Sequence, residues 1–245
     1  MTTVVITQPM YFPWVGLISQ FALADVLVWL DDAQFTRNSF THRVQTKSEG
    51  KQRWLTIPLQ HKGSRHSIIQ LESASPDWYI QHVEDFSMSA EGSDYLADAL
   101  ENITGMNTTG SVCDRIIASA QACFSAISKT TPNVRTYRSS EMEVDGSGWR
   151  RILDLVHAVG GTRYLTGHGA ANYLDHAAFE AEGVTVDYMG YDFAPWPQAH
   201  GAFSPYVTSL DLIAHVSPQD RFRHLSTQTI PWRDFLTSKG LPINR

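Results

Sequence analysis

Two short runs of apolar residues, Val4-Val5-Ile6-Thr7 and Val26-Leu27-Val28-Trp29-Leu30, flank a single amphipathic stretch. Apolar runs this short describe strands covered on both faces, and such strands belong to a parallel sheet with helices above and below it. The stretch between them, Trp14 to Ala24, repeats Val15, Leu17, Ile18, Phe21 and Leu23 near the period of a helix. Pro9 and Pro13 end the first strand. Residues 4–30 therefore read as one strand–helix–strand unit with a right-handed crossover.

The same alternation returns after Pro132. Asn133–Tyr137 reads as a strand, Trp149–Val159 as a helix, Arg163–Thr166 as a strand, Leu174–Glu182 as a helix and Val184–Tyr188 as a strand. The expected fold class is thus α/β, with a mainly parallel five-stranded Rossmann-like sheet. An insertion is expected at about residues 40–130. It begins with an antiparallel hairpin, His42–Lys47 and Arg53–Leu59, around the turn at 48–51. His66–Leu71 is expected to add a strand. Helices follow over 76–128, broken near Gly92 and again at 104–110, with Ile116–Ile127 the clearest. Two short helices, Ser209–His215 and Gln219–Leu225, are expected near the end. With no internal repeat, low-complexity segment or linker, the 245 residues read as a single α/β domain carrying this insertion.

A formal net charge of −6 argues against a broad nucleic-acid footprint, which needs a basic face. Cys113 and Cys123 fall on one predicted helix, about 15 Å apart at the helical rise, so they cannot bridge each other. No zinc spacing occurs, and His61, His66 and His82 lack metal-ligand register. The thiols fit a reducing cytoplasm. The first residues do not have the pattern of a secretory signal, and no apolar run has the length of a membrane span. Seven Trp, nine Tyr and eleven Phe supply a large core, an aromatic-lined small-molecule pocket, or both.

Ligands of open α/β sheets collect outside the carboxyl ends of the strands. Each expected strand ends in marked residues: Gln8, Tyr11 and Trp14 after the first; Asp31, Asp32 and Gln34 after the second; Arg138-Ser139-Ser140-Glu141 after the third; Gly167-His168-Gly169 with Asn172 and Tyr173 after the fourth; Tyr188, Tyr191 and Asp192 after the fifth. If all five strands are parallel, these clusters share one sheet edge. One of the adjacent carboxylates Asp31 and Asp32 can act as a base, a hydroxyl acceptor or a magnesium ligand. Glycines around His168 let the backbone approach a ligand, and the imidazole offers acid–base or phosphate-donor chemistry. Arg138 supplies a planar donor for phosphate or carboxylate. Asn38, His42 and Arg43 flank the hairpin entry. A Gly-x-Ser-x-Gly elbow, a Walker loop and a Gly-x-Gly-x-x-Gly turn are all missing from the sequence, so no motif identifies a cofactor.

Several of these residues occur in a recognisable order. Val4-Val5-Ile6-x-Gln8-Pro9-x-Tyr11-Phe12-Pro13-Trp14-x-Gly16, then Ala24-Asp25, then Asp31-Asp32-x-Gln34-Phe35 resembles the opening of the WbqC-like family. His42-Arg43-Val44 (Asn-Arg is favoured there in the family), Trp54-Leu55-Thr56-Ile57-Pro58, Arg138-Ser139-Ser140-Glu141 and Tyr164-Leu165-x-Gly167-x-Gly169-x-x-x-Tyr173-Leu174 extend the resemblance over nearly the whole chain. It implies a role beside surface-polysaccharide or natural-product biosynthesis, on a nucleotide-linked sugar or an amino-bearing small molecule, with acyl or aminoacyl transfer to an amine as one form of the reaction. A second resemblance, at the level of fold, is to the nucleotidyltransferase or pantothenate-synthetase-type core. Its His-x-Gly-His falls on Trp14, Val15, Gly16 and Leu17, so both histidines are absent here.

The resulting expectation is a group-transfer enzyme with a small-molecule substrate, nucleotide-linked or carrier-bound. Gln8, Tyr11 and Trp14 line its pocket, Asp31 or Asp32 orients a hydroxyl or acts as base, Arg43 and Arg138 hold phosphate or carboxylate, and His168 serves as acid–base. An ATP-dependent ligase with a degenerate phosphate loop and a non-catalytic scaffold are the alternatives. The oligomeric state is left open.

Overall fold

The computed structural model describes residues 1–49, 51–60, 66–105, 110–128 and 134–243. Its first strand, β1 (Thr3–Thr7), leads through helix α1 (Val15–Ala22) into β2 (Val26–Trp29). The inserted hairpin is β3 (Arg43–Ser48) and β4 (Lys51–Thr56), followed by α2 (Trp78–Ser89), α3 (Leu96–Thr104) and α4 (Val112–Ile127). Alternation then resumes with β5 (Arg135–Arg138), α5 (Gly148–Ala158), β6 (Arg163–Thr166), α6 (His176–Ala181) and β7 (Thr185–Met189). The chain closes with α7 (Ser209–His215), β8 (Thr229–Pro231) and α8 (Trp232–Ser238).

Strands stand in the order β5-β2-β1-β6-β7-β8. The first five are parallel, in register Val4 to Val26, Val26 to Arg135, Val4 to Tyr164 and Tyr164 to Val186, and β8 runs antiparallel to β7. In order of appearance the sheet strands are thus arranged 3-2-1-4-5-6, the doubly wound order. Successive residues of β1 face opposite layers, as the strand period requires. Val5, with Leu27 and Trp29 of β2, packs among residues of α1, α4 and α7. Val4 and Ile6, with Val26 and Val28, pack among residues of α5, α6 and α8.

The sheet is mainly parallel, as expected, and has a sixth strand beyond the five expected, which is the antiparallel one. The extra strand, β8, is a three-residue edge whose last residue is Pro231. A proline cannot donate to a ladder and is tolerated there because the edge needs no outer partner. His66–Leu71 does not form a strand. Ile68–Gln70 is a single 3-10 turn closed by a reciprocal box between Ser67 and Gln70, and isolated bridges, Gln34 to Ser67 and Leu59 to Ser73, with the Ile69 N–H on the Asp31 carbonyl, tie this region laterally. Gln219–Leu225 is helical only as a 3-10 turn over Arg221–His224. Among the described residues no helix is long and apolar enough to cross a membrane.

Candidate functional site

The strand order reverses between β1 and β6, so the mouth of the sheet lies where their carboxyl ends meet. Those ends carry Gln8 on one side and Gly167-His168 on the other. The Gln8 side-chain amide makes no hydrogen bond among the described residues. His168 sits half-buried, its ring 4.8 Å from that of Tyr191 and 4.7 Å from that of Phe235. Its Nε2 is 2.8 Å from the carbonyl oxygen of Met189 at the end of β7. A carbonyl only accepts, so Nε2 carries a proton, and in the neutral form of the ring the lone pair is at Nδ1.

Tyr191 completes this edge. Its backbone holds a left-handed φ of 49° and its hydroxyl accepts from Gln20 Nε2 at 3.0 Å. Burial pushes the Tyr191 phenol above its usual range, so it stays protonated and able to donate. Gly167 makes this possible, because a Cβ there would lie 2.9 Å from the Tyr191 hydroxyl oxygen. Gly169 has no such constraint: the space beside it is open. Trp14 leans on the same group, with ring centres 4.9 Å from Tyr191, 5.8 Å from Phe193 and 5.7 Å from Tyr206. Its indole lies flat over Gly16, where a Cβ would come within 2.3 Å of the ring.

Asp31 and Asp32 have a different environment. Asp31 is fully buried; Oδ1 accepts from the Ser140 backbone N–H at 3.0 Å and Oδ2 from the Ser140 hydroxyl at 2.8 Å. Asp32 receives a bidentate Arg151, at 3.1 Å on Oδ1 and 2.5 Å on Oδ2, and the Ser139 hydroxyl at 2.6 Å. Burial works to raise the Asp32 carboxyl, but the hydrogen bonds from Arg151 and Ser139 outweigh it and hold the group below the usual carboxylate range. Arg138 pairs with Asp114, the residue that forms a reciprocal capping box with Ser111 at the start of α4. Every carboxylate oxygen of the Asp31–Asp32 pair therefore has a protein donor. The network ties β2, the turn after β5, α4 and α5 together.

Other expected site residues divide between core, surface and a separate cavity. Tyr11 does not line an open pocket: it is fully buried and its hydroxyl is 2.9 Å from His82 Nδ1. Its phenol is pushed well up by burial, while burial pulls His82 down despite the Thr56 carbonyl. The adjacent Phe12 holds a φ of 36° because both of its backbone polar groups are clamped, the N–H by Ser119 at 2.9 Å and the carbonyl by Thr208 at 2.8 Å. Asn38, His42 and Arg43 meet at a cavity of about 290 Å³ between the loop after β2 and the hairpin, whereas Gln34 is bridged to Ser67. Glu141, Asn172 and Tyr173 are exposed. His61 lies outside the described residues.

Gln20, Arg151, Asp114 and Arg37 were not expected from sequence. Gln20 carried a signal: an amide on the apolar face of α1, which is rare without a partner. Arg151 and Asp114 gave none, since each is an ordinary polar residue of an amphipathic helix until its partner is placed.

Comparison with known proteins adds the family. The model described as the WbqC-like protein family matches residues 8–222. A protein of Mycobacterium tuberculosis (strain ATCC 25618 / H37Rv), named "Uncharacterized protein Rv1507c", is 28% identical over 228 residues, covering 89% of this chain and 96% of its own. No solved structure matches the chain.

Proposed function

The chain belongs to the WbqC-like protein family, and from that premise we propose that it is a group-transfer enzyme acting on a small activated molecule at the mouth between β1 and β6. The observation that carries this is the fixed tautomer of His168. With Nε2–H donating to the Met189 carbonyl, Nδ1 is left as a base. In the transfer step an amine or hydroxyl of the acceptor attacks the activated group, Nδ1 takes the proton from that nucleophile, and the Met189 carbonyl steadies the resulting imidazolium. The protonated Tyr191 hydroxyl donates towards the leaving group or the oxyanion, while Gln8 and Trp14 position the substrate. Asp31 and Asp32 act as the frame that fixes the turn after β5, and the base is His168.

Melting curves against nucleotides, nucleotide-sugars, amino acids and acyl donors, with and without Mg²⁺, identify the donor, because a ligand that binds only the folded chain raises the midpoint by mass action. With that donor and an amine acceptor, His168→Gln is expected to lower kcat by roughly 10²–10⁴-fold while the ligand-induced shift is retained. Turnover at the wild-type rate by His168→Gln removes the imidazole from the reaction.

A further inference from the structure

The cavity beside the hairpin has a chemistry of its own. Phe35 and Leu59 give it apolar walls, and Arg37, Asn38, His42 and Arg43 give it polar ones; among the described residues no carboxylate lines it. Several arginines elsewhere on the chain are matched with acids, among them Arg53 with Glu49, Arg151 with Asp32, Arg163 with Asp187 and Arg221 with Asp98. Arg37 and Arg43 have no such partner among the described residues. The Arg43 guanidinium is nonetheless fixed. Trp54 covers one face at 4.0 Å, and Nη2 donates to the Asn38 carbonyl at 2.6 Å. Asn38 itself holds a left-handed φ of 62°, which turns that carbonyl towards the arginine. Nε of Arg43 is buried and has no acceptor among the described residues. A guanidinium held rigid, beside a second arginine with no acid partner among the described residues, matches an oxyanion with several acceptor oxygens.

From this we infer that the cavity is a binding site for the phosphate group of a small phosphorylated molecule, with Arg43 as its fixed anchor and Arg37 as its second cation. Two arginines answer the charge of a phosphate dianion more fully than that of a carboxylate, and the cavity is large enough for the phosphate and a small part of what bears it. Of the two arginines that the sequence pointed to for an anion, Arg138 is engaged by Asp114, which leaves Arg43. The inference is independent of the role given to His168.

Isothermal titration of the full chain with inorganic phosphate at constant ionic strength tests it, with acetate as the carboxylate control. Saturable binding of phosphate, tighter than acetate by tenfold or more, is expected. Arg43→Gln is expected to weaken it at least tenfold and Arg37→Gln several-fold, while Arg233→Gln, at a distant pair with Glu180, leaves it unchanged. Arg37 is exposed and outside every strand, so its variant keeps the test informative if Arg43→Gln disturbs the hairpin. No saturable phosphate binding, equal affinity for acetate, or wild-type affinity in the Arg37 variant together with a folded Arg43 variant overturns the assignment.

Discussion

Asp31 and Asp32 are adjacent in sequence and share the Ser139 hydroxyl, but their main partners differ. One is sealed under Ser140, the other clasped by Arg151 and Ser139. Both lie in the turn after β2, where the Ser139 hydroxyl comes within 3.3 Å of Asp31 Oδ1 and 2.6 Å of Asp32 Oδ1. The Asp32 interaction carries a pH signature. Its folded value lies below the unfolded one, so its contribution is fully present above the unfolded value of about 4 and is lost as pH falls through the folded value. Asp32→Asn is therefore expected to lower the urea midpoint at pH 7, with the gap from wild type closing as pH approaches 3. A gap that stays constant across that range removes the depressed carboxylate from the account. The sequence showed that these residues stand at a strand end; it held no sign of Arg151, which arrives from a helix more than a hundred positions away.

Among the elements, α1 and the loop before it show how far local pattern reaches. The apolar spacing of Val15, Leu17, Ile18 and Phe21 marks the helix, and all four are buried. What pattern does not reveal is that Gly16 is required by a ring. Its absent Cβ is the space in which the Trp14 indole lies. Gly16→Ala is expected to displace that indole and to destabilise the fold by about 1–3 kcal/mol, the usual cost of overpacking. The readouts are the urea midpoint and the emission of Trp14, located by comparison with Trp14→Phe. An unshifted emission and midpoint contradict the close contact. β8 was illegible for the converse reason: three residues ending in proline have no strand signature and become a strand only because β7 offers an edge. The segment around Ile68 has apolar residues suited to a strand but closes on itself through the Ser67–Gln70 box.

On the scale of the whole molecule, the parallel order of the first five strands was legible because the strands alternate with amphipathic helices, although β5 itself is largely exposed. That order gathers Gln8, Asp31, Arg138, Gly167 and Tyr191 along one edge. Which of them face a ligand was not legible, since it depends on contacts between distant segments. The Asp31–Asp32 cluster is satisfied internally, whereas the edge between β1 and β6 keeps an unbonded amide at Gln8 and a lone pair at His168. Gln20 reaches Tyr191 across a separation of 171 residues, and Tyr191 in turn requires Gly167 to be glycine. The family match over residues 8–222 embraces this edge and the hairpin cavity alike.

The most direct test of His168 as the base at this edge is its imidazole nitrogen NMR spectrum, assigned by loss of the signal in His168→Gln and followed as the donor found by melting is titrated. A neutral ring protonated at Nε2, with an Nδ1 resonance that moves on saturation, is the expected result. A ring protonated at Nδ1, or an Nδ1 resonance unmoved when the donor is fully bound, contradicts the account.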